Sequence, residues 1–364
     1  MKKIGILTFH DTLNYGASMQ CYALQKKMQD LGADVEVIDY KSPRFVKEYS
    51  PFFVPVFNFR KVLYMLLALK MNTAKLKKKR IFQKKYIRLS NEYTPESIAS
   101  ANDVYDAFVT GSDQVWNWHL TDFDKVYFLD FVKKGKEKFS YAASFGVSEI
   151  EADKKKEYRK LLDNYTSISV REESGAKLIE ELIGYKAETA IDPVFLLSVE
   201  EWEQIAKFPK ESGYILLYSI NNTLAYECAV VLSKKTKKKI VYLSAPLKRH
   251  GRFKKVTELG PDEFVGWFKA ADYVITDSFH GVVSSILFEK QFVVLQDQNK
   301  YANANSRIMD LLNKLLLEER IIEELEEIGT VLQPINYKQV AERLNIYIQK
   351  SVSILKRIMG VEDE

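Results

Sequence analysis

Cysteine and long apolar runs are both scarce in this 364-residue sequence, and each absence removes a class of protein. The chain has two cysteines, Cys21 and Cys228, and both lie within apolar helical patterns. Two such residues cannot form a disulfide framework or a zinc site, so we expect buried free thiols in a reducing cytoplasm. No window approaches the roughly 20 apolar residues of a membrane-spanning helix. The sequence therefore argues against a disulfide scaffold and against an integral membrane protein.

The N-terminus lacks the apolar core of a secretory leader. Lys2 and Lys3 precede an apolar run that stops at His10 after six residues. That run is shorter than the h-region of a signal peptide. We therefore interpret it as the first core strand and expect a cytoplasmic protein.

A glycine-rich nucleotide fingerprint is absent as well. The turn after the first predicted strand holds Asn14 and a single Gly16, where a dinucleotide-binding turn has G-x-G-x-x-G. Asp39 ends the second predicted strand at the distance expected of a ribose-binding acid. Without the glycines this match is weak, and the sequence argues against a nicotinamide cofactor.

The composition is that of an ordinary globular protein, with 46% hydrophobic and 28% charged residues. The length predicts two domains of roughly 180 residues each. Proline in Asp192-Pro193 interrupts the pattern, so we predict an N-terminal domain over 1–192 and a C-terminal domain over 193–335. The last segment, 336–364, is expected to be a helix that crosses back onto the first domain.

Short apolar runs alternate with helical stripes along most of the chain, which is typical of a parallel α/β sheet. Residues 3–40 predict a strand, a helix and a strand. Further strands are predicted at 105–110, 126–131, 139–143 and 167–170, and a second series at 214–219, 240–244, 273–276 and 292–295. We therefore predict the α/β class, with two tandem, doubly wound, Rossmann-like domains that enclose a cleft between their carboxyl edges.

Positive charge is concentrated in one segment, although the formal net charge is only +5. An apolar stretch at 62–69 precedes a run of cations, which comprises Lys70, Lys75, Lys77, Lys78, Lys79, Arg80, Lys84, Lys85 and Arg88. Residues 62–88 are consistent with an amphipathic element on an anionic membrane surface, which would make the protein peripheral to the inner face of the membrane. A solvated helix face beside a buried helix is the alternative. No nucleic-acid-binding motif accompanies the run, so a nucleic-acid partner is not expected.

The most informative stretch is 272–288, where a predicted strand passes into a helix. Asp277 and Ser278 are N-cap types, Gly281 permits close backbone approach, and an apolar stripe of helical period follows. His280 is therefore predicted near a helix N-terminus, at a corner where α/β proteins bind ligands. Backbone N–H groups there attract anions, and the imidazole can exchange a proton with one. A structural histidine packed under a loop is the alternative.

Other polar residues follow predicted strands and should gather at the carboxyl edges of the two sheets. The first domain contributes Asn14, Gly16, Ser112, Asp113, Ser144 and Arg171, and the second contributes Ser278, His280 and Arg307. This combination suits an anionic ligand.

These residues lie within a series of short motifs. In chain order they are Asn14-Tyr15-Gly16-Ala17, Gly111-Ser112-Asp113-Gln114-Val115-Trp116-Asn117, Ser140-Tyr141-Ala142-Ala143-Ser144-Phe145-Gly146, Val170-Arg171-Glu172, Asp192-Pro193, Thr276-Asp277-Ser278-Phe279-His280-Gly281 and Ser306-Arg307-Ile308. In this order the chain resembles the polysaccharide pyruvyl transferase family over nearly its whole length. The resemblance implies a glycosyltransferase-B-like architecture. It also implies transfer of pyruvyl from phosphoenolpyruvate to two hydroxyls of a hexose as a ketal, in a precursor of a surface polysaccharide.

The resemblance also implies roles for individual residues. Arg171 and His280 are implied at the donor site, where His280 would protonate the methylene carbon. The full donor-binding set is Arg171, Ser278, Gly281 and Arg307, and the acceptor-binding set is Asn14, Gly16, Ser112, Trp116 and Ser144. Asp113 is predicted as an acceptor-side base or as a residue closing an Asx-turn, and Trp116 as a platform for a sugar or as a core residue. The reaction demands no metal and no cofactor beyond phosphoenolpyruvate as co-substrate.

One position departs from the family pattern. Some family members have arginine two residues before the histidine, where this chain has Ser278; Arg307 or a cation from residues 248–250 is the candidate replacement.

Two other functions remain open from the sequence. The same cleft suits a nucleotide-sugar-dependent glycosyltransferase. A non-catalytic sugar-binding protein of the same pathway is the third hypothesis. The acceptor sugar, expected to be linked to a lipid or a nucleotide, is not specified by the sequence.

Overall fold

The computed structural model describes residues 2–48, 59–219, 222–243, 253–295 and 306–361, with residues 59–69 described by their backbone alone. The chain divides into two compact units, and neither is a single segment of sequence. Unit 1 comprises Met1–Phe53, Gln83–Leu197 and Arg343–Glu364, and unit 2 comprises Val54–Phe82 and Ser198–Glu342.

The first part of the chain forms seven strands and six helices within the described residues. They are β1 (Lys3–Leu7), α1 (Tyr15–Asp30), β2 (Asp34–Tyr40), α2 (Pro43–Glu48), α3 (Phe59–Tyr86), β3 (Leu89–Tyr93), β4 (Ala107–Thr110), α4 (Trp118–Thr121), β5 (Glu137–Ala143), α5 (Ala152–Leu162), β6 (Ser167–Val170), α6 (Glu173–Ile183) and β7 (Glu188–Thr189). Short 3₁₀ helices lie at Ile98–Asp103, Lys125–Phe128 and Pro193–Leu196.

The second part forms six strands and six helices within the described residues. They are α7 (Val199–Ile205), β8 (Tyr214–Tyr218), α8 (Thr223–Thr236), β9 (Ile240–Leu243), β10 (Lys254–Val256), α9 (Pro261–Lys269), β11 (Ala271–Thr276), α10 (Phe279–Leu287), β12 (Gln291–Leu295), α11 (Ser306–Leu315), β13 (Ile321–Ile322) and α12 (Tyr337–Met359). Short 3₁₀ helices lie at Glu318–Arg320 and Leu325–Leu332.

Each unit is built on one parallel sheet. The order in unit 1 is β3-β2-β1-β4-β5-β6-β7, and the order in unit 2 is β10-β9-β8-β11-β12-β13. In both sheets the order reverses beside the unit's first strand, between β1 and β4 and between β8 and β11. Such reversal points place ligand-binding loops at the carboxyl ends of the strands. The predicted α/β class with two doubly wound sheets is therefore confirmed.

The central strands are apolar on both faces, as parallel strands covered by helices must be. All four residues of β4 and of β9 are buried. This burial explains why the strands read as short apolar runs in the sequence without alternation.

One predicted strand is wrong. Residues 126–131 were expected to form a strand, but a 3₁₀ helix spans Lys125–Phe128. The side chain of Asp124 accepts a hydrogen bond from the backbone N–H of Val126 at 3.1 Å and so caps this turn, and Leu129 ends it in a left-handed conformation with φ 57°. Val126, Phe128 and Leu129 are still buried, so apolar burial and not strand pairing accounts for their composition.

The basic segment lies on α3. Lys75 and Lys79 are buried, and the ammonium group of Lys78 contacts the Glu263 carboxylate at 2.8 Å. Part of the charge run is therefore satisfied within unit 2, while Lys77 and Arg80 are exposed. Across the parts of the chain that the structure describes, no helix combines the length and the apolar character needed to span a bilayer.

Candidate functional site

In unit 2, side chains at the sheet's reversal point tie the ends of β8 and β11 together. The hydroxyl of Ser219 donates to the Asp277 carboxylate at 2.6 Å, and the hydroxyl of Thr276 donates to the carbonyl of Tyr218 at 2.7 Å. The phenol of Tyr242 donates to the carbonyl of Ser219 at 2.9 Å. These hydrogen bonds fix the loop from which α10 starts.

The N-terminus of α10 is a candidate anion-binding position. Ser278 is the N-cap residue, but its side chain makes no capping hydrogen bond, and the first turn contains no acidic residue. The N–H groups of that turn lie at the positive end of the helix dipole. Nearby, burial raises the pKa of Tyr218 to about 12, so its phenol stays protonated and uncharged.

His280 of α10 and Arg307 of α11 both contact Phe279, the first residue of α10. His280 is the second residue of the helix and is 5% exposed, and its ring meets the Phe279 ring edge-on at 5.2 Å. The guanidinium carbon of Arg307 lies 5.5 Å from the centroid of the same Phe279 ring, which is within the range of a cation–π contact. Arg307 is partly exposed. The helix N-terminus thus has an imidazole and a guanidinium close to it.

Glycine is required at position 281 because this residue packs against Thr276, the last residue of β11. A Cβ atom at this position would lie 2.2 Å from Oγ1 of Thr276. That oxygen also accepts from the backbone N–H of Ser278 at 3.1 Å. The close backbone approach predicted for Gly281 is therefore to Thr276. Its predicted contact with the donor substrate stays a prediction.

In unit 1, Arg171 follows β6 and lies among three carboxylates. Its guanidinium contacts Asp192 at 2.8 Å, Asp113 at 3.7 Å and Glu172 at 3.8 Å, and the side chain is 4% exposed. Burial alone would lower the pKa of Arg171, but these carboxylates raise it above its usual value. Because three carboxylates already contact its guanidinium, the geometry supports a role for Arg171 in positioning these acids, and its predicted place at the donor site stays a prediction.

The loops after β4, β5 and β6 are interlocked at the same edge. The hydroxyl of Ser144 donates to Glu172 at 2.5 Å and accepts from the backbone N–H of Gly146 at 3.0 Å. The backbone N–H of Ser144 donates to the carbonyl of Asp113 at 2.9 Å, and that of Arg171 donates to the carbonyl of Ala143 at 3.1 Å. Asp113, Ser144 and Arg171, which sequence patterns placed at one edge, are thus brought together.

Asp113 makes a hydrogen bond with the residue that directly follows it, and not the bond to the second residue on that defines an Asx-turn. Its Oδ1 accepts from the backbone N–H of Gln114 at 2.8 Å, and its backbone has φ 75°. The residue is 5% exposed and faces Arg171. Its action as an acceptor-side base stays a prediction.

Trp116 does not fit its predicted position as a sugar platform. The side chain is fully buried, its ring stacks on Phe128 at 5.8 Å between centroids, and Phe145 and Tyr165 cover it from other sides. The core alternative is the one that this packing shows. A large aromatic ring near a strand end gains more free energy from burial than from exposure.

The remaining acceptor-side residues lie in the loops after β1 and β4. Asn14 is exposed and caps α1, accepting from the backbone N–H groups of Gly16 at 2.9 Å and Ala17 at 3.3 Å. Ser112 is fully buried, its carbonyl accepts from Thr8 at 2.9 Å, and its hydroxyl has no hydrogen-bond partner among the residues that the structure describes. Gly16 is buried at the start of α1.

Sequence reasoning missed a charged cluster at the end of β2. Nε2 of His10 lies 2.8 Å from Asp39, and Lys41 also contacts Asp39 at 2.8 Å. Burial alone would raise the pKa of Asp39, but hydrogen bonds with His10 and Lys41 bring it below its usual value. The sequence signal is Asp39 at the end of a strand, a position that by itself indicates only a weak ribose-binding match.

The pair Ser219 and Asp277 was also missed, because strand order decides which strand ends are neighbours and the sequence does not give that order. Asp277 was assigned to helix capping, whereas its carboxylate accepts from Ser219 of the adjacent strand.

Two parallel sheets with helices, and with polar groups at the ends of their strands, define a glycosyltransferase-B-like α/β protein. The chain belongs to the polysaccharide pyruvyl transferase family, whose model matches residues 14–299. This confirms the resemblance seen in the sequence. A search of curated proteins gives no match.

Solved structures with a similar fold are glycosyltransferase-B enzymes and UDP-GlcNAc 2-epimerases. The S. aureus MnaA–UDP co-structure has a TM-score of 0.51 at 12% identity and covers 100% of this chain and 98% of its own. The UDP-GlcNAc 2-epimerase from Neisseria meningitidis, bound to UDP-GlcNAc, gives 0.48 at 13% identity, with 97% and 100% covered. The spinosyn rhamnosyltransferase SpnG gives 0.48 at 8% identity, with 99% and 100% covered. At these identities the likeness concerns the fold alone.

Proposed function

We propose that this protein transfers a pyruvyl group from phosphoenolpyruvate to two hydroxyls of a hexose, as a ketal with release of phosphate. The acceptor is a precursor of a surface polysaccharide, linked to a lipid or a nucleotide carrier. Membership of the family supports the reaction class. The observation that carries the proposal is the position of His280 and Arg307 at the N-terminus of α10.

The proposed chemistry needs one group that gives up a proton and takes one back. His280 protonates the methylene carbon of phosphoenolpyruvate, and a sugar hydroxyl attacks the adjacent carbon. Phosphate then leaves, and a second hydroxyl closes the ketal. Of the two hydroxyl protons released, one returns to His280 and the other leaves with phosphate, so the reaction is balanced without a redox partner.

The donor carries a phosphate and a carboxylate, and both need positive partners. Arg307 supplies a permanent cation, and the first-turn N–H groups of α10 supply oriented donors. Ser278 stands where some family members have arginine, and Arg307 is our proposed replacement. The other candidate cations, at 248–250, lie outside the described residues.

Unit 1 supplies the proposed acceptor groups. Asp113 is the proposed base or hydrogen-bond acceptor for a sugar hydroxyl, and Arg171 holds its carboxylate in place. Ser112 has a buried hydroxyl whose hydrogen-bonding capacity is unused among the described residues. Asn14, Gly16 and Ser144 remain candidates in the adjoining loops.

The proposal is tested by phosphate release that requires both phosphoenolpyruvate and a sugar, together with calorimetric titration of phosphoenolpyruvate. We expect His280→Asn to bind phosphoenolpyruvate but to lose about a hundredfold to ten-thousandfold in kcat, as expected when a positioned acid is removed. Arg307→Gln should weaken phosphoenolpyruvate binding by about tenfold, as loss of one charge-assisted contact predicts. Arg343→Gln, which changes an exposed arginine of α12, is the control.

The alternatives give different results in the same experiment. A glycosyltransferase binds UDP or a nucleotide sugar and gives no heat with phosphoenolpyruvate. The UDP of the MnaA co-structure makes UDP the natural competing ligand. A non-catalytic protein of the pathway binds sugar without turnover. Either result overturns the donor assignment.

A further inference from the structure

A lysine-rich pocket of unit 1 lies away from the candidate site. It has a volume of about 410 Å³ and is formed by the loop before β5 and the end of α5. The charged residues that line it are Asp130, Lys133, Lys134, Lys136, Lys138 and Lys160. Because the loop precedes β5, the pocket lies at the amino edge of the sheet, whereas Asp113, Ser144 and Arg171 follow their strands at the carboxyl edge.

Lys138 is the unusual member of this set, because it is 8% exposed. Its ammonium nitrogen lies 4.9 Å from the centroid of the Tyr165 ring. Among the described residues, none places a carboxylate within ion-pair distance of that nitrogen. Burial lowers the pKa of Lys138, and the charge of Asp130, which lies beyond ion-pair distance, offsets only part of that effect. A buried cation without a close ion-pair partner costs free energy, and an anion bound in the pocket would reduce that cost.

The neighbouring lysines divide into two groups. Lys133 pairs with Asp103 at 3.0 Å, and Lys136 donates to the carbonyl of Tyr105. Lys134 and Lys160 are exposed and, within the described ranges, have no ion-pair partner. Lys134, Lys138 and Lys160 therefore leave their charges available to the pocket, against the single carboxylate of Asp130.

We propose that this pocket binds a phosphate-bearing anion. The volume falls at the lower end of the range for small-molecule sites, about 300–1,000 Å³. Several ammonium groups provide point charges and multiple N–H donors, which suit phosphate oxygens. The lining contains no aromatic side chain on which a base could stack, so the phosphate group itself is the recognised feature. The inference does not depend on the proposed pyruvyl transfer.

The test uses inorganic pyrophosphate as the probe, titrated calorimetrically into the full-length protein. Lys138→Met keeps most of the apolar stem and removes the charge, and Lys160→Gln changes an exposed residue that does not endanger folding. Lys156→Gln is the matched control, because Lys156 is exposed on the same helix, α5, but does not line the pocket. We expect saturable binding that weakens by about tenfold in each pocket variant and stays unchanged in the control.

Two further measurements identify the source of the phosphate and distinguish this site from the donor site. They are vesicle flotation and pyrophosphate titration of Arg307→Gln. Lysine-dependent flotation with phosphatidylglycerol vesicles, and not with phosphatidylcholine vesicles, assigns the phosphate to a lipid headgroup. Pyrophosphate binding without flotation assigns it to a soluble molecule. The inference is overturned if neither pyrophosphate binding nor flotation is observed. It is also overturned if Arg307→Gln abolishes pyrophosphate binding while Lys138→Met and Lys160→Gln leave that binding intact. These readouts are independent of turnover, so failure of the proposed function would not affect them.

Discussion

Arg171 shows that the surroundings of a motif residue determine what its removal costs. In the sequence it is an arginine that follows a strand and is suited to bind an anion. In the structure its guanidinium contacts Asp192 at 2.8 Å and is nearly inaccessible. Removing such a cation leaves buried carboxylates uncompensated, which is far more costly than losing an exposed ion pair.

We therefore expect Arg171→Met to lower the free energy of unfolding by about 3–5 kcal/mol at neutral pH. In the wild type, a raised Arg171 pKa keeps its contribution constant between about pH 5 and 8, since the arginine is charged throughout that window in both states. In the variant, burying an unpaired negative charge costs more free energy than burying a neutral, protonated carboxyl group, so the defect should deepen as pH rises.

Urea unfolding of Arg171→Met at pH 5 and pH 8 measures this difference, with Arg159→Met, an exposed arginine of α5, as control. The double variant with Asp192→Asn should recover part of the loss. A defect that is independent of pH, or that Asp192→Asn worsens additively, would contradict the buried-network account.

At the scale of elements, local pattern was sufficient where a segment's own residues decide its structure. The prediction of a strand at 167–170 matches β6, and the helix predicted within 336–364 is α12, which spans Tyr337–Met359. The prediction failed at 126–131, where apolar residues are buried on a 3₁₀ turn that Asp124 caps. Local periodicity records burial, and burial alone does not distinguish a strand from a turn packed against the core.

The candidate site was predictable to the same extent. Polar residues after strands were found because that position is visible in the sequence, and Asp113, Ser144 and Arg171 do lie together. Partners that depend on strand order were missed, as with Ser219 and Asp277. The sequence left Trp116 open between a sugar platform and the core, since the neighbours that decide it, Phe128 and Phe145, come from separate segments.

Asn14 is an element-scale case, because its amide oxygen caps α1 and is also a candidate acceptor group. We expect Asn14→Ala to lower the free energy of unfolding by about 1 kcal/mol and Asn14→Ser, which retains a capping oxygen, to recover most of it. Urea unfolding and amide exchange of Gly16 and Ala17 measure the cap. Asn222→Ala, which removes the N-cap of α8, is the matched control.

Activity separates the two interpretations of Asn14. If Asn14 only caps α1, Asn14→Ser retains phosphate release as well as stability. Loss of activity in Asn14→Ser with full stability would instead assign the amide to the acceptor. Equal instability of the Ala and Ser variants would contradict the capping account.

At the scale of the whole molecule, the sequence order of segments differs from their grouping in the units. The segment Arg343–Glu364 groups with unit 1, although the chain passes through unit 2 before reaching it. The hydroxyl of Ser351 accepts from the backbone N–H of Ile191 at 2.8 Å, and Arg357 pairs with Glu188. Removing this segment therefore tests whether residues 1–192, the predicted N-terminal domain, fold without it.

A chain that ends at residue 342 should lose cooperative folding of unit 1. Ile354, Leu355 and Ile358 are 3%, 0% and 1% exposed, and loss of each buried aliphatic side chain costs about 2–5 kcal/mol. Together these losses exceed or match a typical domain stability of about 5–15 kcal/mol. Urea unfolding monitored by amide exchange in β1 and β4 should show this loss, and a peptide of residues 343–364 added in trans should restore protection. A peptide with Leu355→Asp should not, and a chain that ends at residue 361 should behave as the full protein. A chain ending at 342 that keeps the native midpoint for β1 and β4 would show instead that unit 1 folds without its last segment.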